Sequence, residues 1–303
     1  MIPLAALWLA QRRIEQLRRL FSLAPAHRRE LVGVAAALVL LPALLGVAAA
    51  QPVVIRHKSL GVRSDVQAFF VFDTSLSMSA REGAHGPTRL ERAKREAREV
   101  LPKLGDIPVG LATMTDRVLP DLMPTPNLAV ILRTLDQSVG IDRPPPTQVY
   151  KGRATTFQAL FPIPMANFYS PGVRHRILVV YTDGEDAPFR SAVDFDLARA
   201  MTVHPLFVHV WAPTDRIYVH GRVSPRYRPD PTSGSVLARF TAAAHGQVFA
   251  EDDPNGLVRA IRDEAGSSSA RTTVVGYARV ALAPWFVLAG IVPLGFLLYR
   301  RNL

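Results

Sequence analysis

The residues best equipped for chemistry in this chain stand where apolar runs stop. In "AFFVFDTSLSMSA", Ala68 to Ala80, the hydrophobic stretch ends at Asp73, and Ser75 and Ser77 follow at alternate positions. A second apolar run, "ILVVYTDGED", ends at Asp183 with Gly184 behind it. Between the two, "GRATTFQAL" supplies Thr155 and Thr156. Alternate residues of an extended segment share a side, so Ser75 and Ser77 point the same way. Two carboxylates and three or four hydroxyls, with no sulfur or imidazole, make a hard-oxygen donor set. It suits Mg²⁺, Ca²⁺ or Mn²⁺ rather than zinc or copper. Neutral hydroxyl donors leave such an ion much of its charge, so an open coordination position would attract a carboxylate from another molecule. The candidate metal ligands are Asp73, Ser75, Ser77, Thr155 and Asp183, with Thr156 as the alternative threonine. The plainer account is that Asp73 and the serines only satisfy backbone donors in a strand-to-helix turn.

These residues need elements that bring them together. From Val66 onward, short apolar runs alternate with amphipathic stretches, the pattern of an α/β domain with a doubly wound, mostly parallel sheet. "VQAFFVF" and "HRILVVYT" are apolar throughout, as strands covered on both faces are. "PVGLATM", "RVLPDLM", "HPLFVHVW" and "QVFA" are further strands, and Pro120 puts the second of these at an edge. Helices are expected over 88–104, 127–138, 191–202 and 235–244 and after Asp253. Thr88 and Glu91 form a capping box, Ser235 follows Gly234 as a cap, and Asp253 caps with Pro254 at the first position. Residues 155–167 start helically and are interrupted by Pro162 and Pro164. In an open α/β sheet, binding sites form beyond the carboxyl ends of strands where strand order reverses. Asp73 and Asp183 face one crevice if their strands are neighbours there.

The chain has 303 residues, 49% of them hydrophobic, and no cysteine, which excludes disulfides, thiolate metal sites and cysteine nucleophiles. Its net charge of +11 is not a nucleic-acid signature, because most of the excess sits in the tails. Six arginines precede residue 30 and three follow residue 274, and both groups flank long apolar runs. "LVGVAAALVLLPALLGVAAA" and "VALAPWFVLAGIVPLGFLLY" carry no charge and are each long enough to cross a bilayer core of about 30 Å. Prolines are tolerated in such spans. Trp285 and Tyr299 lie near the ends of the second run, where interfacial aromatics belong. An Ala48-Ala49-Ala50 pattern makes a cleaved signal peptide the alternative for the first run, although that run is longer than the usual apolar core.

The chain therefore divides into a basic cytoplasmic segment 1–30, a transmembrane helix 31–50, a linker 51–65 and a domain 66–265. A second linker 266–279, a transmembrane helix 280–299 and a cytoplasmic tail 300–303 complete it. The arginines before the first span place the N-terminus in the cytoplasm and the domain on the extracytoplasmic side of the cell membrane. "MIPLAALWLA" is too short to cross.

"FVFDTSLSM", "GRATTFQAL" and "ILVVYTDGE" resemble the three loops of the von Willebrand factor A (VWA) fold, whose metal-ion-dependent adhesion site reads D-x-S-x-S, T and D. Asp73, Ser75, Ser77 and Asp183 match position for position, and Thr155 fits the spacing after "GR". The order of elements, with "AAAQPVVIRHKS" and "VLARFTAAAHGQVFAEDDPNGLVRAI" at the domain's edges, is similar to the membrane-anchored bacterial Bat-type aerotolerance group. That resemblance implies a non-catalytic module binding a protein partner through Mg²⁺ (Ca²⁺ or Mn²⁺ in its place). It also implies a MoxR-type AAA+ ATPase and other VWA membrane proteins as associates, in cell-envelope assembly or stress tolerance.

The rival readings are a haloacid-dehalogenase-like phosphatase and a metal-free membrane scaffold. The phosphatase wants an acid/base carboxylate two residues after the first Asp, and Ser75 stands there. No G-x-S-x-G or P-loop pattern occurs, and the spacing of His204 and His209 sends them to opposite faces of a strand. The Arg- and Tyr-rich loop Asp215 to Asp230 reads as solvated, with a share in the partner's footprint as a secondary role.

Overall fold

The computed structural model describes residues 12–13, 28–147, 155–164, 167–186, 192–199, 201–267 and 271–301. The basic segment up to residue 27, the "GR" before Thr155 and the end of the tail lie, apart from 12–13, outside the described residues. Two compact units form, one from 1–59 with 275–303 and one from 60–274.

The first unit contains α1 (Arg28–Ala49) and α7 (Ala283–Arg301), which pack on each other. Both are long and apolar enough to cross a membrane, and only 11% of each apolar window is buried. Gly33 lets α1 approach closely: a Cβ there would stand 3.1 Å from the Phe296 ring.

The second unit carries the site. Its central elements are β2 (Val66–Asp73), α2 (Arg89–Val100), β3 (Val109–Met114), β4 (Val118–Thr125), α3 (Leu128–Gln137) and β5 (His175–Thr182). After these come α4 (Ala192–Arg199), β6 (Pro205–His209), the small hairpin β7 (Tyr218–Val219) and β8 (Arg222–Val223), α5 (Ser233–Ala243), β9 (Gln247–Ala250) and α6 (Pro254–Ala265). Six strands join in the order β4-β3-β2-β5-β6-β9, and β4 alone runs antiparallel to its neighbour. This is the doubly wound, mostly parallel sheet the alternating pattern predicts, with Pro120 in the edge strand.

Two hydrophobic layers cover the sheet because its strands are apolar on both sides. Phe70, Phe72, Val179 and Tyr181 meet α2, α3 and α6, while Phe69, Val71, Leu178 and Val180 meet α4, α5 and the 157–160 turn. The Phe72 and Tyr181 rings stack at 4.9 Å across the central strand pair. The Thr88 capping box forms as predicted, with Glu91 N–H donating to Thr88 Oγ1 and Thr88 N–H donating to Glu91 Oε2. Asp253 likewise caps α6 by accepting from Gly256 N–H at 2.8 Å.

Four segments differ from expectation. The stretches read as linkers are strands, β1 (Val53–Arg63) and β10 (Arg271–Ala281), which pair with each other. Each one's partner lies some two hundred residues away in the chain, so neither shows a local signal. Arg63, at the end of β1, is buried against Asp65 at 2.6 Å and donates to the Ala265 and Gly266 carbonyls at 2.7 and 2.8 Å. That closes the C-terminus of α6 with a cation, where a helix dipole favours one. Helix α5 starts at Ser233, not Ser235, because Asp230 organises the preceding turn through the Thr232 N–H and hydroxyl. After Thr155 the chain makes only a single 3₁₀ turn, Phe157–Leu160, before Pro162 and Pro164.

Candidate metal centre

Strand order reverses at β2: the chain goes from β2 outward to β3 and β4, then returns to add β5 on the other side. The crevice beyond these carboxyl ends is where such sheets bind ligands. Register pairs Phe72 with Tyr181, so Asp73 ends level with Thr182 and Asp183 follows it. The two acids, more than a hundred residues apart in the chain, stand at adjacent strand ends and are both fully buried.

Asp73 organises the cluster. Its Oδ1 accepts from Ser75 N–H at 2.9 Å, and its Oδ2 accepts from the Thr182 hydroxyl at 2.8 Å. The Thr155 hydroxyl donates to the same carboxylate at 3.2 and 3.3 Å. Ser75 and Ser77 bring their hydroxyls within 3.0 Å of each other, the shared side predicted by alternation. Burial first, then the neighbouring Asp183, pushes the Asp73 carboxyl up to about 7. Thr156 does not join the cluster; its hydroxyl caps the 3₁₀ turn by accepting from Gln158 N–H. Of Thr155 and Thr156, it is Thr155 whose hydroxyl reaches Asp73, beside that of Thr182.

Asp183 is held differently. Its Oδ1 accepts from Glu185 N–H at 3.0 Å, and its Oδ2 pairs with Arg89 at 2.8 Å. Its carbonyl meets His209 Nε2 at 3.0 Å. Gly184 follows with φ +72, and a Cβ there would sit 3.0 Å from the Ser233 carbonyl, so the turn after Asp183 demands glycine.

Arg89 is the site residue that pattern reading missed. It is fully buried and binds Asp183 and Glu185 through Nη1 and Asp215 through Nε, while Tyr227 Oη lies 2.7 Å from Nη1. Its Nη2 has no hydrogen-bond partner among the described residues. Arg92 adds a second cation to Asp215 at 3.1 Å and reaches Glu251 at 2.9 Å. Burial opposes ionisation of Asp215, but Arg92 and Arg89 outweigh it and hold that carboxyl below its usual range. The signal was present on α2: Arg89 and Glu96 share the buried face with Leu90, Ala93, Ala97 and Val100. A charged residue on an apolar stripe marks either a buried pair or a fault, and Arg89 makes the pair.

The loop Asp215 to Asp230 is not simply solvated. Asp215 is fully buried, Tyr227 Oη donates to Glu185 at 2.8 Å, and Asp230 N–H donates to the same oxygen at 3.1 Å. Arg81 and Arg216 exchange backbone hydrogen bonds, which ties this loop to the Ser75–Ser77 segment.

The donor set fits a hard divalent cation in its chemistry. Asp73, Ser75, Ser77 and Thr155 form one oxygen cluster, and Asp183 stands beside it with both oxygens engaged. Among the described residues there is no grouping of three or more His, Cys, Asp or Glu side chains that could hold a metal.

Comparison with solved structures agrees with this topology. The chain is similar to an aerotolerance-related membrane protein from Bacteroides fragilis, at 22% identity and TM-score 0.51, over 66% of this chain and 98% of that one. It is similar to BatB, a conserved hypothetical protein from Bacteroides thetaiotaomicron, at 20% identity and TM-score 0.52, over 67% and 100%. A looser likeness, TM-score 0.40 at 14% identity, is to a von Willebrand factor type A protein from Catenulispora acidiphila, over 70% and 49%. No protein-family model and no curated sequence matches the chain. The fold is the doubly wound, mostly parallel α/β fold shared with these two Bacteroides proteins, in a chain that also carries two candidate membrane-spanning helices.

Proposed function

We propose that this chain is a membrane-tethered VWA module that captures an acidic side chain of a protein partner through a divalent cation. Asp73, Ser75, Ser77 and Thr155 would hold the ion, with Asp183 reaching it through water because its Oδ2 is already paired with the Arg89 cation. Mg²⁺ is the first choice and Ca²⁺ or Mn²⁺ the alternatives. The observation that carries this reading is Asp73: a fully buried carboxylate that accepts from the Thr155 and Thr182 hydroxyls, with the paired hydroxyls of Ser75 and Ser77 on the turn that follows it. When bound, the cation supplies an electrophilic position for a partner's carboxylate, and the protein's part is to fix the oxygens around it.

The position from which a haloacid-dehalogenase-like phosphatase would draw its general acid holds no carboxyl group. Ser75 stands two residues beyond Asp73, and its hydroxyl is engaged with Ser77. A phosphatase built on Asp73 would leave its leaving group without a proton.

The apolar helices and the arginines of the N-terminal segment support a two-span topology with the domain outside the cytoplasm. The similarity to an aerotolerance-related membrane protein and to BatB supports a place in the cell envelope, in assembly or stress tolerance. A MoxR-type AAA+ ATPase and other VWA membrane proteins remain the partners that resemblance suggests.

Thermal unfolding of the full chain in detergent tests the cation directly. A ligand that binds only the folded form raises its stability by about 2.7 kcal/mol at a hundredfold excess over Kd. Mg²⁺ should therefore raise Tm in the wild type and leave Thr155→Val unmoved. No shift in the wild type would leave a metal-free scaffold as the account, and equal shifts in both would place the cation away from Thr155.

A further inference from the structure

The loop that closes the edge of the site carries a set of cations that the cation-capture reading does not use. Between Trp211 and Thr232 the chain contains Arg216, Arg222, Arg226 and Arg228 against two acids, Asp215 and Asp230. Both acids are committed to the fold, Asp215 to Arg89 and Arg92 and Asp230 to Thr232. Arg222, Arg226 and Arg228 are exposed and make no ion pair among the described residues.

A free loop would hold such arginines in no fixed place, but this one is pinned at several points. Tyr227, which sits between Arg226 and Arg228, contacts the buried guanidinium of Arg89 and donates to Glu185. Asp230 N–H donates to the same Glu185 oxygen. At its other end Arg216 pairs through its backbone with Arg81, four residues beyond Ser77, and Arg81 lies over the Tyr218 ring at 5.7 Å. The hairpin between carries Val219 and Val223 about half exposed beside the arginines. Arg89 thus joins two tasks: it holds Asp183 and it anchors the basic loop to the same strand end.

Resting on the proposed capture of a carboxylate, we infer that this arginine hairpin is a second recognition element, and that the partner is an acidic protein segment rather than a lone acidic residue. One carboxylate would meet the cation at Asp73, and flanking carboxylates would meet Arg222, Arg226 and Arg228. The complementarity is one of sign, with exposed unpaired guanidinium groups beside a site that itself takes an anion. Arginines carried on a pinned backbone also steer an acidic partner toward the site before contact.

The test uses the full chain in nanodiscs of neutral phosphatidylcholine. The probe is a labelled peptide of about ten residues alternating Glu with Gly, and its Gln counterpart is the control. Binding is read by fluorescence anisotropy with Mg²⁺ present. The Arg222→Gln, Arg226→Gln, Arg228→Gln triple variant changes exposed side chains only. It should bind the Glu peptide about tenfold more weakly at low salt, and the difference should vanish near about 0.5 M salt. The Gln peptide should bind neither protein.

Equal affinity of wild type and triple variant at low salt, or no binding of the Glu peptide by the wild type, overturns the inference. So does arginine-dependent capture of phosphatidylglycerol vesicles with peptide affinity unchanged, which would assign the hairpin to a lipid surface. Asp73→Asn separates the two proposals. Binding that needs the arginines but neither Mg²⁺ nor Asp73 sinks the cation reading and keeps the hairpin. Binding that needs Mg²⁺ and Asp73 but not the arginines does the reverse.

Discussion

Replacing Arg89 with methionine removes one cation from among three carboxylates. Arg89, Asp183 and Asp215 are fully buried and Glu185 nearly so, which means the vacated charge cannot be replaced by bulk water without opening the domain. Breaking a buried pair from one side costs about 3–5 kcal/mol, because the remaining charge stays buried and unpaired. Arg92 still reaches Asp215 at 3.1 Å, which places the cost near the lower end, about 3 kcal/mol. Against a typical stability of about 5–15 kcal/mol the variant still folds, marginally. Urea denaturation of the full chain should show the midpoint lowered by about 1 M or more with the slope unchanged. Trp211 is a suitable reporter, since its ring stacks on His209 at 6.1 Å, and Trp8 and Trp285 would be replaced by phenylalanine. Arg95→Met on the exposed face of the same helix is the control and should change stability by less than about 0.5 kcal/mol. In the double variant with Asp215→Asn the two losses should fall short of additive, because both act on one network. An Arg89→Met effect as small as the Arg95 control would refute the claim that this guanidinium holds the strand ends together.

Three further outcomes follow from other parts of the domain. Burial, with Glu251 nearby, pushes the Glu96 carboxyl up to about 8, and neither of its oxygens has a hydrogen-bond partner among the described residues. The folded state therefore keeps a proton that the unfolded state releases, and Glu96 makes stability fall as pH rises from about 4.5 to about 8. Glu96→Gln should gain about 1 kcal/mol or more above pH 8, gain nothing near pH 4, and flatten that part of the pH profile; an unchanged profile contradicts the burial argument. Gly110→Ala should cost about 2–3 kcal/mol in the same denaturation assay, since a Cβ there would lie 2.6 Å from the Phe69 ring and 2.9 Å from the Leu122 carbonyl. With no native cysteine, a His220→Cys variant carries a single thiol in the exposed hairpin. A membrane-impermeant maleimide should label it in intact cells, and labelling only after lysis would reverse the proposed orientation.

The order of elements was legible because each strand of the central sheet is a short apolar run ending at a polar residue. Asp73 and Asp183 announced themselves by the same rule, and their convergence followed from the place where sheet order reverses. Ser75 and Ser77 could be paired from alternation alone. What stayed hidden was non-local. The ribbon of β1 with β10 joins segments from opposite ends of the domain, and no local pattern marks either strand. The Arg89 network draws on α2, the end of β5 and the 211–230 loop, which are distant in sequence, so only an arginine on an apolar helix face hinted at it. That loop read as solvated because its composition is polar, yet Asp215 and Tyr227 turn inward. Composition cannot tell a pinned arginine loop from a free one.

The account stands or falls on whether Asp73 and its hydroxyl neighbours hold a divalent cation. Calorimetric titration of Mg²⁺ into the full chain measures this most directly, beside Asp73→Asn, whose fold is checked by circular dichroism. The account expects one Mg²⁺ per wild-type chain and no heat of binding in the folded variant. No binding to the wild type, or the same binding to both, contradicts it.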